Sequence, residues 1–171
     1  TNTDVNEPGA PADEAVLSKL LTQLTDRLRP GDLVVLSGKA PAGAPDTLVL
    51  LPEDCDSQAK RISQALFSTL GFPLPVIVCD THGRALRSGT AGVAVGAWGL
   101  EPIRSYRGCA DCDGRPLMST QEAVADELAA AATLVMGQGS EGVPAVLIRG
   151  FRYTPADMDS LPLRRPKSQR L

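Results

Sequence analysis

The plainest hydrophobic pattern in the chain is Val76–Cys79, four consecutive apolar residues bounded by Pro75 and Asp80. A short continuous run of this kind predicts a strand buried on both faces, as in a sheet covered by helices. Leu33–Leu36, Thr47–Leu51 and Val143–Ile148 predict further strands, and Gly92–Gly96 predicts a small apolar segment approached closely by backbone or ligand. Helical periods separate these runs. From Asp13, the residues Val16, Leu17, Leu20, Leu21, Leu24 and Leu28 share one face, and Pro30-Gly31 stops the helix. Asp56 or Ser57 is expected to cap a second helix through about Leu70, with Ile62, Ala65, Leu66 and Leu70 inward. Ser119-x-x-Glu122 reads as a capping box opening a third helix to about Met136, with Val124, Leu128, Ala131 and Val135 as its stripe. On that wheel Glu127 flanks the stripe, on the side of Thr120, whereas Asp126 lies nearly opposite and is expected in solvent. Gly137 suits the position just past the helix end. The expected class is α/β, with α+β as the alternative: a mixed sheet with helices packed on its faces. Residues 1–12 read as a flexible arm, 13–151 as the domain, and 152–171, with the sequence RRPKSQR, as a basic tail.

A chain of 171 residues suits one domain with a sizeable core. Its net charge of −3 argues against a broad basic surface for nucleic acid. No apolar run approaches a membrane span and the N-terminus lacks a secretory pattern, so a soluble, cytoplasmic protein is expected. Aromatics make up only 4%, so the core must rest on Leu, Val and Ala, and Trp98 is assigned to it rather than to a stacking platform. Among the cysteines, Cys79 reads as an inert small hydrophobe inside its strand. Cys109-Ala-Asp-Cys112 has the spacing of a redox pair or half a zinc site. With no second CxxC, and the only histidine (His82) distant in sequence, a chance pair in a loop is the preferred reading.

Candidate chemistry begins where the central strand turns polar, at Asp80, Thr81, His82, Gly83 and Arg84. Ligands in open α/β sheets gather outside the carboxyl ends of strands. A carboxylate beside a hydroxyl is hard oxygen ligation, suited to Mg²⁺ or Mn²⁺ shared with substrate phosphates. Arg84 and Arg87 offer charge for phosphate or carboxylate. The plainer alternative has Asp80 capping a turn and both arginines facing water. Ser37-Gly38-Lys39, at another strand end, fits a phosphate contact but is too common a tripeptide to decide one. Glu53, Asp54 and Asp56 suit the dipole of the helix they precede better than a metal. The loop Gly137–Gly142 has the composition of a phosphate loop. It follows a helix C-terminus, however, where the dipole repels anions, so base or ribose contacts fit it better.

Several blocks together resemble the coenzyme F-420:L-glutamate gamma-glutamyl ligases: CDTHGRALRSGTAGVAVGAWGLEPIRSYRG from Cys79, then DGRPL, AVADELAAAATLVMG and VPAVLIRGF. GDLVVLSGK at Gly31–Lys39 and LLPEDCDS at Leu50–Ser57 fit the same family, in matching order. The resemblance implies a gamma-glutamyl ligase-like fold. It also implies GTP- and metal-dependent addition of L-glutamate to the side chain of a deazaflavin coenzyme, by way of an acyl phosphate. It makes Asp80 and Thr81 ligands of Mg²⁺ or Mn²⁺, with K⁺ as an additional ion. It puts Gly38 and Lys39 near the nucleotide, and Leu134, Val135, Met136, Gly137, Gln138, Gly139, Ser140 and Glu141 along it. In the implied mechanism Arg84, with Arg87 or Lys39, offsets phosphate charge, and His82 or Glu127 deprotonates the attacking amine. The expected partners are the deazaflavin coenzyme or another carboxylate acceptor, L-glutamate or another amine, and a second copy in a homodimer, with neither nucleic acid nor membrane. Two rivals stand beside this reading: an amide ligase with a different acceptor and amine, and a catalytically silent nucleotide-binding paralogue. Family members also carry a long segment after the Ser-x-Lys strand, with an SKAEGR-like stretch and a Gly-Ile-Asp-x-Ser-Asn motif. Here Lys39-Ala40 runs straight into Pro41-Ala-Gly, so a missing segment is expected between Ala40 and Pro41, and the family's second metal aspartate has no counterpart. Cys109 and Cys112 fall outside the family pattern.

Overall fold

The computed structural model describes residue 22, residues 26–37 and residues 53–165. The arm over residues 1–12, most of the first expected helix, Gly38, Lys39, the Ala40–Pro41 junction and the strand expected over Thr47–Leu51 lie outside the described residues.

Three apolar runs become strands because each can bury both faces: β1 (Leu33–Ser37), the first half of β2 (Val76–Arg84) and β6 (Ala145–Ile148). With β3 (Arg87–Trp98) they form a sheet in the order β3-β2-β1-β6. β1 and β2 run parallel, and the β1–β6 and β2–β3 pairs are antiparallel, which is the mixed sheet expected. Parallel β1 and β2 require a crossover, and it includes helix α1 (Cys55–Leu70), which covers one face over Val34, Leu36, Val76 and Val78. Helix α2 (Val124–Met136) covers the other face, over Leu33, Val35, Ile77 and Cys79. Two residue pairs join β4 (Arg104–Ser105) to β5 (Gln121–Glu122) in a small separate ribbon. Among the described residues no helix is long and apolar enough to cross a membrane.

Four local expectations are corrected. The polar residues Asp80–Arg84 are strand, not loop: β2 outlasts its apolar run because the β3 ladder supplies backbone partners whatever the side chains. The N-cap of α1 is Asp54, whose Oδ1 accepts the Ser57 amide at 3.0 Å, rather than Asp56 or Ser57. No capping box opens α2, since its N-cap Ala123 makes no side-chain bond. Glu122 lies instead in β5 and accepts from Arg104 (3.2 Å) and the Tyr106 hydroxyl (2.8 Å). Lastly, α2 buries Val124, Ala125, Leu128, Ala129, Ala132 and Met136, so its inner face is turned from the stripe expected, and Ala131 and Val135 are exposed. The alanines explain the turn. They let the helix sit so close to β3 that a Cβ on Gly92 would lie 2.6 Å from the Thr133 side chain and 2.8 Å from the Ala129 carbonyl. In consequence Asp126, expected in solvent, is half-buried and accepts the Ala94 amide at 2.9 Å, while Glu127 is exposed.

The stretch after β6, read from sequence as a basic tail, lies along the domain as far as residue 165. Thr154 accepts the Glu101 amide at 2.9 Å, and buried Ser160 donates to Asp56 from both its amide (2.8 Å) and its hydroxyl (3.0 Å).

Candidate functional site

The carboxyl end of β1 meets the middle of β2, with Ser37 opposite Cys79. Two other segments converge on them. The Ser37 amide donates to the Pro144 carbonyl (2.9 Å), and the Cys79 thiol donates to the Met136 thioether (3.8 Å). The loop from Gly137 to Pro144 therefore starts beside Cys79, which precedes Asp80 within β2, and finishes at the β1 end that precedes Gly38. Gly137 permits the sharp departure from α2, with φ at 75°. The Glu141 carboxylate then folds back over Gly137, where any Cβ would meet it, and accepts the Gly139 amide at 2.8 Å.

Asp80 stands at the edge of this junction, half-buried. Its Oδ1 accepts the amide of Thr81 at 2.8 Å, and among the described residues no donor meets its other oxygen. Strand alternation puts Asp80 on the α1 face with Val76 and Val78, and Thr81 on the α2 face opposite Gly92. Charge follows the same geometry. Burial, joined by the carboxylates of Asp56, Asp54 and Asp80, raises the Cys55 thiol, and burial with Asp80 pushes Cys79 up to about 11. Both thiols stay protonated at neutral pH, so the inert role read for Cys79 agrees with its surroundings.

The remaining candidates are distributed unevenly. His82 and Arg84 follow Asp80 on the same face of β2 but are exposed, further along the hairpin, and Arg84 Nη2 donates to the Ser88 carbonyl at 3.0 Å. Glu127 is on α2, across the sheet from His82, so the two candidate bases do not come together. Leu134 and Val135 are 87% and 61% exposed at the end of α2, and residues 138–142 are open to solvent beyond them. Cys109 and Cys112 are exposed free thiols in a hairpin loop, and among the described residues no three or more His, Cys, Asp or Glu are grouped so that they could hold a metal ion. A shallow groove of about 440 Å³, lined by Lys60, Phe67, Trp98 and Asp157, lies beside Trp98 at the opposite end of β2 and takes no part in this junction.

The donor set suits a hard divalent cation. Asp80 offers a carboxylate oxygen free of protein donors among the described residues, which leaves most coordination positions to substrate and water, as Mg²⁺ and Mn²⁺ accept, whereas the Thr81 hydroxyl leaves the opposite face of the sheet and does not converge with that oxygen. Sequence reasoning missed Asp56 and Asp126, whose carboxylates hold the amides of Ala97 and Ala94 in β3. They lie 41 and 32 residues from those amides, and no local pattern announces such a pair.

The sequence model of the F420-0:Gamma-glutamyl ligase family matches residues 10–150. The chain is 51% identical over 119 residues to the coenzyme F420:L-glutamate ligase of Methanothermobacter thermautotrophicus, covering 68% of this chain and 47% of that protein. It is 43% identical over 159 residues to the enzyme of that name from Natronomonas pharaonis, covering 89% and 60%, and 45% identical over 106 residues to that of Methanosarcina barkeri, covering 62% and 42%. The chain thus spans about half the length of the curated relatives it matches.

Proposed function

We propose a function from the premise that the chain belongs to the F420-0:gamma-glutamyl ligase family, whose sequence model covers its residues 10–150. The protein acts as a GTP- and metal-dependent amide ligase that adds L-glutamate to a deazaflavin coenzyme in the gamma-glutamyl linkage. The observation that carries this reading is the family match itself, and the meeting of the β1 end, the Cys79–Asp80 stretch of β2 and the ends of the Gly137–Pro144 loop supports it.

In this reading the acceptor carboxylate takes the γ-phosphoryl group of GTP, leaving GDP and an acyl phosphate. The amine of glutamate attacks the acyl carbon, phosphate departs, and the amine loses a proton. A bound Mg²⁺ or Mn²⁺ supplies charge neutralisation at the phosphate oxygens. Asp80 would hold that ion, and Thr81, which the family resemblance also makes a metal ligand, would offer its hydroxyl on the other face of the sheet. Gly38, Lys39 and the stretch from Leu134 to Glu141 line the nucleotide, the exposed Leu134 and Val135 offering apolar surface for its base. Arg84 and Arg87 orient and neutralise anionic groups. His82, two residues beyond Asp80 on the same face, is preferred over Glu127 as acceptor of the amine proton, because the sheet separates Glu127 from Asp80. A cytoplasmic homodimer, with K⁺ as a further ion, belongs to the same proposal.

One observation favours a second reading, a nucleotide-binding paralogue without ligase activity: the Gly-Ile-Asp-x-Ser-Asn motif of the family is not in the chain. The deciding experiment incubates the protein with coenzyme, L-glutamate, GTP and Mn²⁺ and follows the coenzyme by mass spectrometry. A product heavier by one glutamyl residue is expected, with Asp80→Asn lowering its rate by about a hundredfold or more. No product from the parent protein selects the silent paralogue, and unchanged turnover by Asp80→Asn removes Asp80 from the site.

A further inference from the structure

The ladder between β2 and β3 is interrupted twice, at Gly83/Arg84 near the hairpin turn and at Val78/Cys79 next to Asp80. Val78 pairs with Gly96 but Cys79 pairs with Ala94, so Val95 is an extra residue, a β-bulge. The bulge changes which residues of β3 face which helix. Trp98 packs on the α1 side and Ala97 on the α2 side, and a Cβ on Gly96 would run into Cys55 at the start of α1. Val95 also packs on the α1 side, next to Gly96, and Ala94 and Gly92 then face α2. Without the extra residue the alternation beyond it would reverse. Val93 would be driven against Ala129 and Thr133, where only a glycine fits.

What selects this register is α2. The Asp126 carboxylate, in the first turn of the helix, accepts the Ala94 amide, and Ala94 is the residue that resumes pairing after the bulge. The next two pairs on the ladder are Val93 with Asp80 and Gly92 with Thr81. A bulge bends the strand that carries it and changes which of that strand's residues lie opposite its neighbour, here Val93 and Gly92 opposite Asp80 and Thr81.

We propose that Asp126 is a positioning residue for the Asp80–Thr81 stretch: by holding the Ala94 amide it fixes the Val95 bulge of β3, and the bulge sets the register in which Val93 and Gly92 lie opposite the two oxygen donors and hold their strand in place. This rests on the reading of Asp80 as a metal-binding carboxylate. Asp126 itself touches no substrate. It acts through β3, as an outer partner that orients a ligand-bearing strand.

The test is Mn²⁺ binding to the full chain, with the metal alone, followed by the EPR signal of the free ion. Asp126→Ala is expected to weaken binding by about tenfold or more. Asp126→Asn keeps an acceptor oxygen opposite Ala94 and is expected to restore affinity to within about twofold of the parent. Asp32→Asn, which disturbs the far end of the sheet, serves as a control for general loss of stability and is expected to bind like the parent. Parent-like affinity in Asp126→Ala, alongside lost binding in Asp80→Asn, overturns the positioning role and leaves the metal assignment standing. Parent-like affinity in Asp80→Asn overturns the metal assignment itself. Should Asp126→Ala fail to fold, Asp126→Glu keeps the charge but moves the carboxylate by one methylene, and parent-like binding there likewise overturns the proposal.

Discussion

Asp32 sits just before β1 with 2% of its surface exposed, and Arg149, just after β6, reaches it with two nitrogens at 2.8 Å. Arg149 also donates to the Arg27 carbonyl, and the Arg29 amide donates to Asp32 at 2.8 Å. The carboxylate is thus held by a forked guanidinium and a backbone amide, all favouring its charged form, and its pKa is lowered, chiefly by Arg149. A lowered folded value means that the stabilisation is complete above the ordinary carboxylate range near pH 4 and is lost as pH falls through the folded value. Urea unfolding across a pH series checks this. Asp32→Asn is expected to cost about 1–3 kcal/mol at neutral pH, and its stability should fall less steeply than the parent's below about pH 4. Equal slopes on the acid side would place the acid sensitivity in other carboxylates.

Fits between elements are decided by small residues as much as by large ones. Gly96 faces the first residue of α1 so closely that a Cβ there would overlap the Cys55 backbone, and Cys55 Cβ would be 2.7 Å away. Gly96→Ala must push α1 off the sheet, and a loss of about 1–3 kcal/mol is expected. Gly83 is the control: it lies on the exposed hairpin, where an added methyl would meet nothing within 4 Å, and Gly83→Ala should unfold at nearly the parent's denaturant midpoint. The same contacts explain how far the elements can be read from sequence. Val76–Cys79 and Leu33–Leu36 announce their strands because burial on both faces leaves a continuous apolar run. The inner face of α2 departs from the expected stripe because Ala125, Ala129 and Ala132 carry little hydrophobic weight, yet they govern how near the helix can come to Gly92. Glu122 matches a capping-box spacing, but its long-range partners, Arg104 and Tyr106, decide its place. At the candidate site the oxygen donors Asp80 and Thr81 are visible as residue types. That alternation turns them to opposite faces is clear only once Asp80–Arg84 is known to be strand.

At the scale of the whole molecule, the stretch from residue 152 to 165 links parts of the fold that are distant in sequence. Arg104 Nη2 donates to the Arg152 carbonyl at 2.8 Å, the Glu101 amide to Thr154, and Ser160 and Arg164 close on Asp56. Asp56 in turn accepts the Ala97 amide at 2.8 Å, so the same carboxylate ties this stretch, the start of α1 and the outer edge of β3 together. Apolar contact adds to the polar one, since Tyr153 and Leu163 pack on the α2-side core. Arginine, proline and aspartate are frequent here, which is why the sequence reads as a basic tail. The burial comes from a few spaced side chains rather than a periodic face. Deleting residues 152–171 therefore exposes two core-packed side chains and leaves Asp56 with one of its partners. Both side chains are only partly buried, so together they contribute roughly 2–3 kcal/mol, less than two fully buried apolar side chains would, and their loss lowers the melting temperature by roughly 4–12 °C. Thermal unfolding followed by circular dichroism measures it. Asp56→Ala in the intact chain should reproduce part of the drop, because it releases both β3 and the C-terminal stretch while keeping Tyr153 and Leu163 available to the core. A truncated chain that melts with the parent would mean that residues 152–165 rest on the domain without holding it.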